Sequence, residues 1–252
     1  HTLMDINRAG VPLMEVVSEP DIHTSAQAEA YILKLQNIIR YLGVGTANME
    51  EGSFRVDANV SVRPKGSDEL RERVEVKNMN SIRNCQRAIE VEVERQIEVL
   101  ESGGTIRQET MLFDPVREDV RPMRSKEESD DYRYFPEPDL PPLVIAAEMV
   151  EELRAQLPEL PAARAARFES EYGVTLDEAL LLVDSKQGAE DFESAVTLAG
   201  DPGLGRSVAH WFIGDVAGRI NDVGRADAEL ADTGITPEHV AQIVTLVEAK
   251  TI

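Results

Sequence analysis

The stretch Met49–Val62, MEEGSFRVDANVSV, alternates from Phe54 onward. Phe54, Val56, Ala58, Val60 and Val62 point one way, and Arg55, Asp57, Asn59 and Ser61 point the other. A period of two marks a strand with one face on a core. The polar side carries an ordered set. Glu50 and Glu51 come first, and then Arg, Asp and Asn follow in one row. Such a row suits a site that holds a cation and an anion together. It also suits an ordinary wet sheet face, and the strand by itself leaves both open.

Working outward, Thr24–Leu42 reads as a helix, with Thr24 as cap, Gln27 completing a capping box and Gly43 closing the end. Before it, Val11–Val17 (VPLMEVV) reads as a short buried strand that carries Glu15 among apolar neighbours. A buried carboxylate needs a partner or a metal, unless it sits at a strand end that reaches solvent. After the central strand, Pro64–Ser67 marks a turn and Arg71–Lys77 reads as its hairpin partner. That pairing places Glu75 and Lys77 on the polar face beside Arg55 and Asp57. Ser81 then caps a second long helix that runs to Gly103-Gly104. Cys85 falls on its apolar stripe and reads as core rather than nucleophile. Two more strands are expected over Thr105–Phe113 and Val120–Ser125.

The segment Lys126–Pro142 follows neither period and is rich in proline, carboxylates and aromatics. From Ala146 the pattern is helical, with candidates at Ala146–Gln156, Pro161–Tyr172, Leu176–Asp184, Ala189–Leu198, Arg206–Val223 and Pro237–Ala249. The expected architecture is therefore α+β: an antiparallel-sheet domain over residues 1–157 and an all-α domain over 158–252.

Composition narrows the class. The 252 residues are 42% hydrophobic with a net charge of −21. No apolar run approaches the roughly 20 residues that span a membrane. A chain this acidic lacks the broad basic surface of a nucleic-acid binder, so any such contact is local, metal-assisted or shared with a partner. The single cysteine excludes an internal disulfide and a cysteine-rich zinc site, and fits a cytoplasmic setting. The absence of a leading Met and the helical pattern running to the last residues read as a piece of a longer chain.

Glu15, Glu50, Glu51, Asp57 and Glu75 offer oxygen ligands of the kind hard cations prefer, and Arg55 and Lys77 stand beside them. That combination suits phosphoryl transfer, where positioning and charge neutralisation do most of the work.

Four segments carry a resemblance: DINRAGVPLMEVVSEPD (Asp5–Asp21), MEEGSFRVDANVSVRP (Met49–Pro64), EVKNMNS (Glu75–Ser81) and SDDYRYFPEPDLPPL (Ser129–Leu143). With them the chain resembles the B subunit of the tRNA-dependent amidotransferase, the glutamyl/aspartyl-tRNA(Gln/Asn) amidotransferase. Weaker similarity runs through Pro158–Pro161 to the end. The resemblance implies a catalytic cradle related to glutamine synthetase, followed by a helical domain. It implies a ligase that uses ATP and Mg²⁺ to phosphorylate the side-chain carboxylate of Glu or Asp misacylated on tRNA. Ammonia from an amidase-like A subunit would then displace the phosphate, and a small C subunit would join the complex. Glu15, Glu50, Glu51 and Glu75 would be Mg²⁺ ligands, and Arg55 and Lys77 would neutralise phosphate or carboxylate. Asp57, Asn59 and Asn78 would orient substrate or ammonia, and Arg133 would contact substrate or a partner. Family members also carry a further N-terminal segment and a small helical tail, neither matched here. Two rivals follow from the same residues: a tRNA-binding scaffold without catalysis, and a free-standing amide ligase acting on free glutamate.

Overall fold

The computed structural model describes residues 10–123, 138, 139, 141–225 and 228–252. Its first half is built on a four-stranded sheet in the order β1-β2-β3-β4. β1 (Val56–Val60) and β2 (Val74–Met79) pair antiparallel, as the alternation predicts. β3 (Glu109–Asp114) then runs parallel to β2, and β4 (Asp119–Pro122) returns antiparallel. The sheet is therefore mixed, which corrects the antiparallel expectation. The cause is the long helix α2 (Ile82–Glu101) between β2 and β3. A crossover of that length carries the chain back to the end of the sheet where β2 began.

Two helices cover one face of the sheet. α1 (Ser25–Leu42) begins where Gln27 N donates to Thr24 Oγ1, and ends on left-handed Gly43. The reciprocal bond is donated to Gln27 Oε1 by His23 N rather than by the N–H of the cap residue itself. α2 begins where Asn84 N donates to Ser81 Oγ. Ile32, Met49, Val60, Val76, Met79, Cys85, Ala88 and Phe113 form the core between sheet and helices. Cys85 is fully buried there, and burial pushes its thiol up to about 11, as suits a core residue. α2 also grips β1 through polar groups: Gln96 Nε2 donates to the Val60 carbonyl at 2.9 Å and to buried Glu92 at 2.7 Å. Arg95 closes on the same carboxylate with two bonds of 2.8 Å.

The expected strand over Val11–Val17 does not form. Leu13 and Val17 are 94% and 80% exposed, so Glu15 is not a buried strand carboxylate. Apolar composition makes a strand only where a neighbour supplies hydrogen bonds, and no described strand lies beside this segment.

From α3 (Ala147–Gln156) onward every described element is helical: α4 (Pro161–Tyr172), α5 (Leu176–Leu182), α6 (Lys186–Ala199), α7 (Gly205–Trp211), α8 (Ala217–Asp222) and α9 (Pro237–Glu248), with short 3-10 turns between. The expected helix over Arg206–Val223 is widened into a π turn at Phe212–Val216, with Phe212 and Val216 both buried. Phe168, Tyr172, Phe192 and Phe212 pack as a chain of tilted and edge-on rings 5.0–5.9 Å apart. Tyr41, at the end of α1, belongs to this second core. Its hydroxyl lies 2.9 Å from the Val183 carbonyl and 3.3 Å from that of Ser185, and Asn37 Nδ2 donates to Val183 as well. Burial pushes the Tyr41 hydroxyl up to about 12. One helix thus serves both cores. Tyr41→Phe removes that hydroxyl and is expected to cost about 1–2 kcal/mol. The urea midpoint of Trp211 emission checks this, since the chain's one tryptophan packs on the same core. An unchanged midpoint would remove the tie from the stability of the helical half.

Candidate functional site

Among the described residues the helices leave the other sheet face open, and the polar row of β1 lies on it, with Asp57 and Asn59 exposed. Asn59 stands opposite Glu75, and Glu75 opposite Thr110. One step along, Lys77 stands opposite Leu112, and Leu112 opposite Arg121. Lys77 is the centre of the face. Its Nζ donates to Asp57 Oδ2 at 3.0 Å and lies 3.2 Å from Glu75 Oε1. Thr110 Oγ1 donates to the second oxygen, Glu75 Oε2, at 3.0 Å. Both oxygens of Glu75 are therefore occupied from known directions.

Burial alone would lower the Lys77 pKa, but the bonds to Asp57 and Glu75 outweigh it and hold the ammonium above the ordinary lysine value. The side chains of Lys77, Asp57 and Glu75 are 38%, 46% and 33% exposed. Pairs so exposed contribute about 0–1 kcal/mol each. Stability is therefore a weak reason for gathering them. A cation flanked by two carboxylates, open to solvent, can accept an anionic ligand on one side and present oxygens to a cation on the other.

The remaining sequence candidates fall as follows. Arg55 is exposed just ahead of β1 and pairs with no described acid. Glu50 and Glu51 sit in the turn before β1, both exposed. Their amides approach Asn48 Oδ1 at 2.9 and 3.4 Å, so that turn is held by its own asparagine. Glu15 lies in the exposed stretch ahead of α1. Asn78 Nδ2 donates to the Phe113 carbonyl on β3 at 3.0 Å. Arg133 lies outside the described residues. Among the described residues, no three His, Cys, Asp or Glu side chains are grouped so as to hold a metal ion. The structure thus joins Glu75 to Lys77 and Asp57, and does not gather Glu15, Glu50 and Glu51 with it. Thr110 and Arg121 are additions to the face. Both lie in expected strands, but the parallel register that places Thr110 against Glu75 left no mark in the local pattern.

A family profile described as the GatB/GatE catalytic domain matches residues 1–151. The chain belongs to that family. Among curated proteins it is 49% identical over 251 residues to the B subunit of the aspartyl/glutamyl-tRNA(Asn/Gln) amidotransferase of Alkalilimnicola ehrlichii, covering 100% of this chain and 52% of the relative. The protein of the same name from Gluconobacter oxydans is 50% identical over 251 residues, covering 100% of this chain and 50% of that one. That from Carboxydothermus hydrogenoformans is 48% identical over 252 residues, covering 100% and 51%. The chain spans about half the length of the relatives it matches. No described helix is long and apolar enough to cross a membrane.

The raised Lys77 value gives a signed pH dependence. The folded value lies above the unfolded one, so the stability Lys77 contributes is fully present below about pH 10.4 and is lost as pH rises through the folded value. Lys77→Met should therefore melt below the wild type at pH 7 to 9, with the gap closing above about pH 10.4. Melting curves across that range, repeated at high salt where the gap narrows, are the check.

Proposed function

We propose that this chain is the catalytic part of the B subunit of a tRNA-dependent amidotransferase. On this reading residues 1–157 belong to a cradle related to glutamine synthetase, and 158–252 form a helical domain. The reaction converts Glu-tRNA(Gln) or Asp-tRNA(Asn) to the amide, in the cytoplasm, with an amidase-like A subunit and a small C subunit as partners. The observation that carries the reading is Lys77 seated between Asp57 and Glu75 on an open sheet face, in a chain about half identical to relatives of that name.

The chemistry asks for such a face. A carboxylate is a poor acyl donor, because its leaving group would be oxide. Transfer of a phosphoryl group from ATP to a carboxylate oxygen supplies a better one. Nitrogen of ammonia then bonds to the carbonyl carbon, the carbon–oxygen bond to phosphate breaks, and inorganic phosphate departs. Two anions must approach each other first, so cations have to neutralise them.

On this reading Lys77 Nζ neutralises phosphate or the aminoacyl carboxylate, with exposed Arg55 as a second cation. Asp57 and Glu75 fit Mg²⁺ in donor type. They also fit in number, since Mg²⁺ is commonly held by one or two carboxylates with phosphate oxygens and waters completing its shell. Bound there, the ion would supply further neutralisation of phosphate charge. Thr110 fixes the direction of Glu75 through its oxygen. Asn59, opposite Glu75, would orient substrate. Glu15, Glu50, Glu51 and Arg133 complete the proposal as further ligands of metal or substrate.

The test uses the full-length protein assembled with its amidase partners. ATP cleavage should depend on misacylated tRNA, and Lys77→Ala should lower amidation by about 10²-fold or more, the scale seen when one preorganised donor is removed from a charged transition state. Undiminished amidation by Lys77→Ala and Asp57→Asn would sink the reading. Amidation of free glutamate without tRNA would replace it with a small-molecule ligase.

A further inference from the structure

β2 does not alternate regularly. Val74 and Val76 are fully buried, so an even zigzag would turn Asn78 inward and Met79 outward. The reverse holds: Asn78 is exposed and Met79 lies in the core. The register explains it. Val56 pairs with Met79 and Ala58 with Val76, so Lys77 and Asn78 together face the single residue Asp57. That is a β-bulge, with the extra residue on β2. Asn78 has φ 75, in the left-handed region. Asparagine is among the few non-glycine residues that visit that region, because its short amide finds a local bond. Here the bond crosses to the next strand, where Asn78 Nδ2 donates to the Phe113 carbonyl at 3.0 Å. Phe113 adjoins Leu112, the β3 partner of Lys77.

We propose that Asn78 is the positioning residue of this site: left-handed and tied to Phe113, it absorbs the extra residue of β2 and so seats Lys77 between Asp57 and Glu75. Without the bulge, Met79 can reach the core only if β2 slips by one residue, and such a slip turns Lys77 off the open face. Asn78 therefore works through Lys77, by the left-handed backbone it tolerates, rather than on substrate. The inference rests on the Lys77 face being the functional site, but the geometry it concerns is measurable without any reaction.

The experiment reads the register itself, as cross-strand NMR contacts in the full chain: backbone contacts of Val56 with Met79 and of Ala58 with Val76, and contacts of the Lys77 ε-methylene with the Asp57 β-methylene. The wild type should show all three. Asn78→Gly, which keeps the left-handed backbone at no steric cost, should retain them. Asn78→Val, strained there, should lose the Val56–Met79 or the Lys77–Asp57 contact. Asn78→Ala serves the same end if the valine variant does not fold. A role confined to stability would lower the melting temperature of these variants and leave the contacts where they were. The inference is overturned if folded Asn78→Val or Asn78→Ala keeps all three contacts, or if Asn78→Gly loses them as those variants do. None of these readouts involves ATP or tRNA, so the positioning role and the proposed reaction can fail separately.

Discussion

With 47 Asp and Glu against 26 Lys and Arg, this chain has too few cations to pair its carboxylates one to one. Its carboxylates meet around shared cations instead. Arg167 bridges Glu159, Glu171 and Glu193, and Arg164 joins it on Glu193 from the edge of the aromatic core. Arg95 serves buried Glu92 and approaches Glu109. Arg87 serves Glu90 and Glu118. In the helical half this sharing has a structural result, since Arg164 and Arg167 also lie over the Phe168 ring. On the sheet face opposite the helices Asp57 and Glu75 share Lys77 in the same way, with side chains about as exposed as those of the Arg87 group.

The sheet and the helices are joined through a polar contact at one end of α1. Tyr41 contributes its ring to the aromatic core and its hydroxyl to the carbonyls of Val183 and Ser185. Ser185 in turn caps α6 through Gly188 N. A residue of the first half is therefore an internal part of the second. A boundary near residue 157, drawn from the change to a helical pattern, does not register that Tyr41 of α1 packs in the helical core.

The elements that read correctly did so for local reasons. The alternation of Val56–Val60, the Thr24 and Ser81 caps and left-handed Gly43 are each set by residues within one turn or one pleat. The pairing of Glu75 and Lys77 with Asp57 was also legible, because a hairpin brings near neighbours together. Glu15 read as a buried strand carboxylate because VPLMEVV is apolar, yet an apolar run states only that burial is favourable. Whether a partner strand exists is a question about distant chain, and the described sheet does not include this segment. The EVKNMNS segment showed Asn78 as a polar side chain next to a lysine. Its left-handed backbone came into view only with the register of β1 against β2.

The sequence by itself determined roughly where the helices lie, which β1 residues face the core, and that Asp57, Glu75 and Lys77 share a strand face. It also placed the chain with a family through four long segments. Only the tertiary structure decided that β3 runs parallel to β2, that Thr110 meets Glu75, that Asn78 takes up an extra residue opposite Asp57, and that Tyr41 belongs to the helical core. The division has one cause. Local periodicity and capping depend on neighbours a few residues apart, whereas register, bulge and cross-core contacts depend on which distant carbonyls and side chains arrive at the same place.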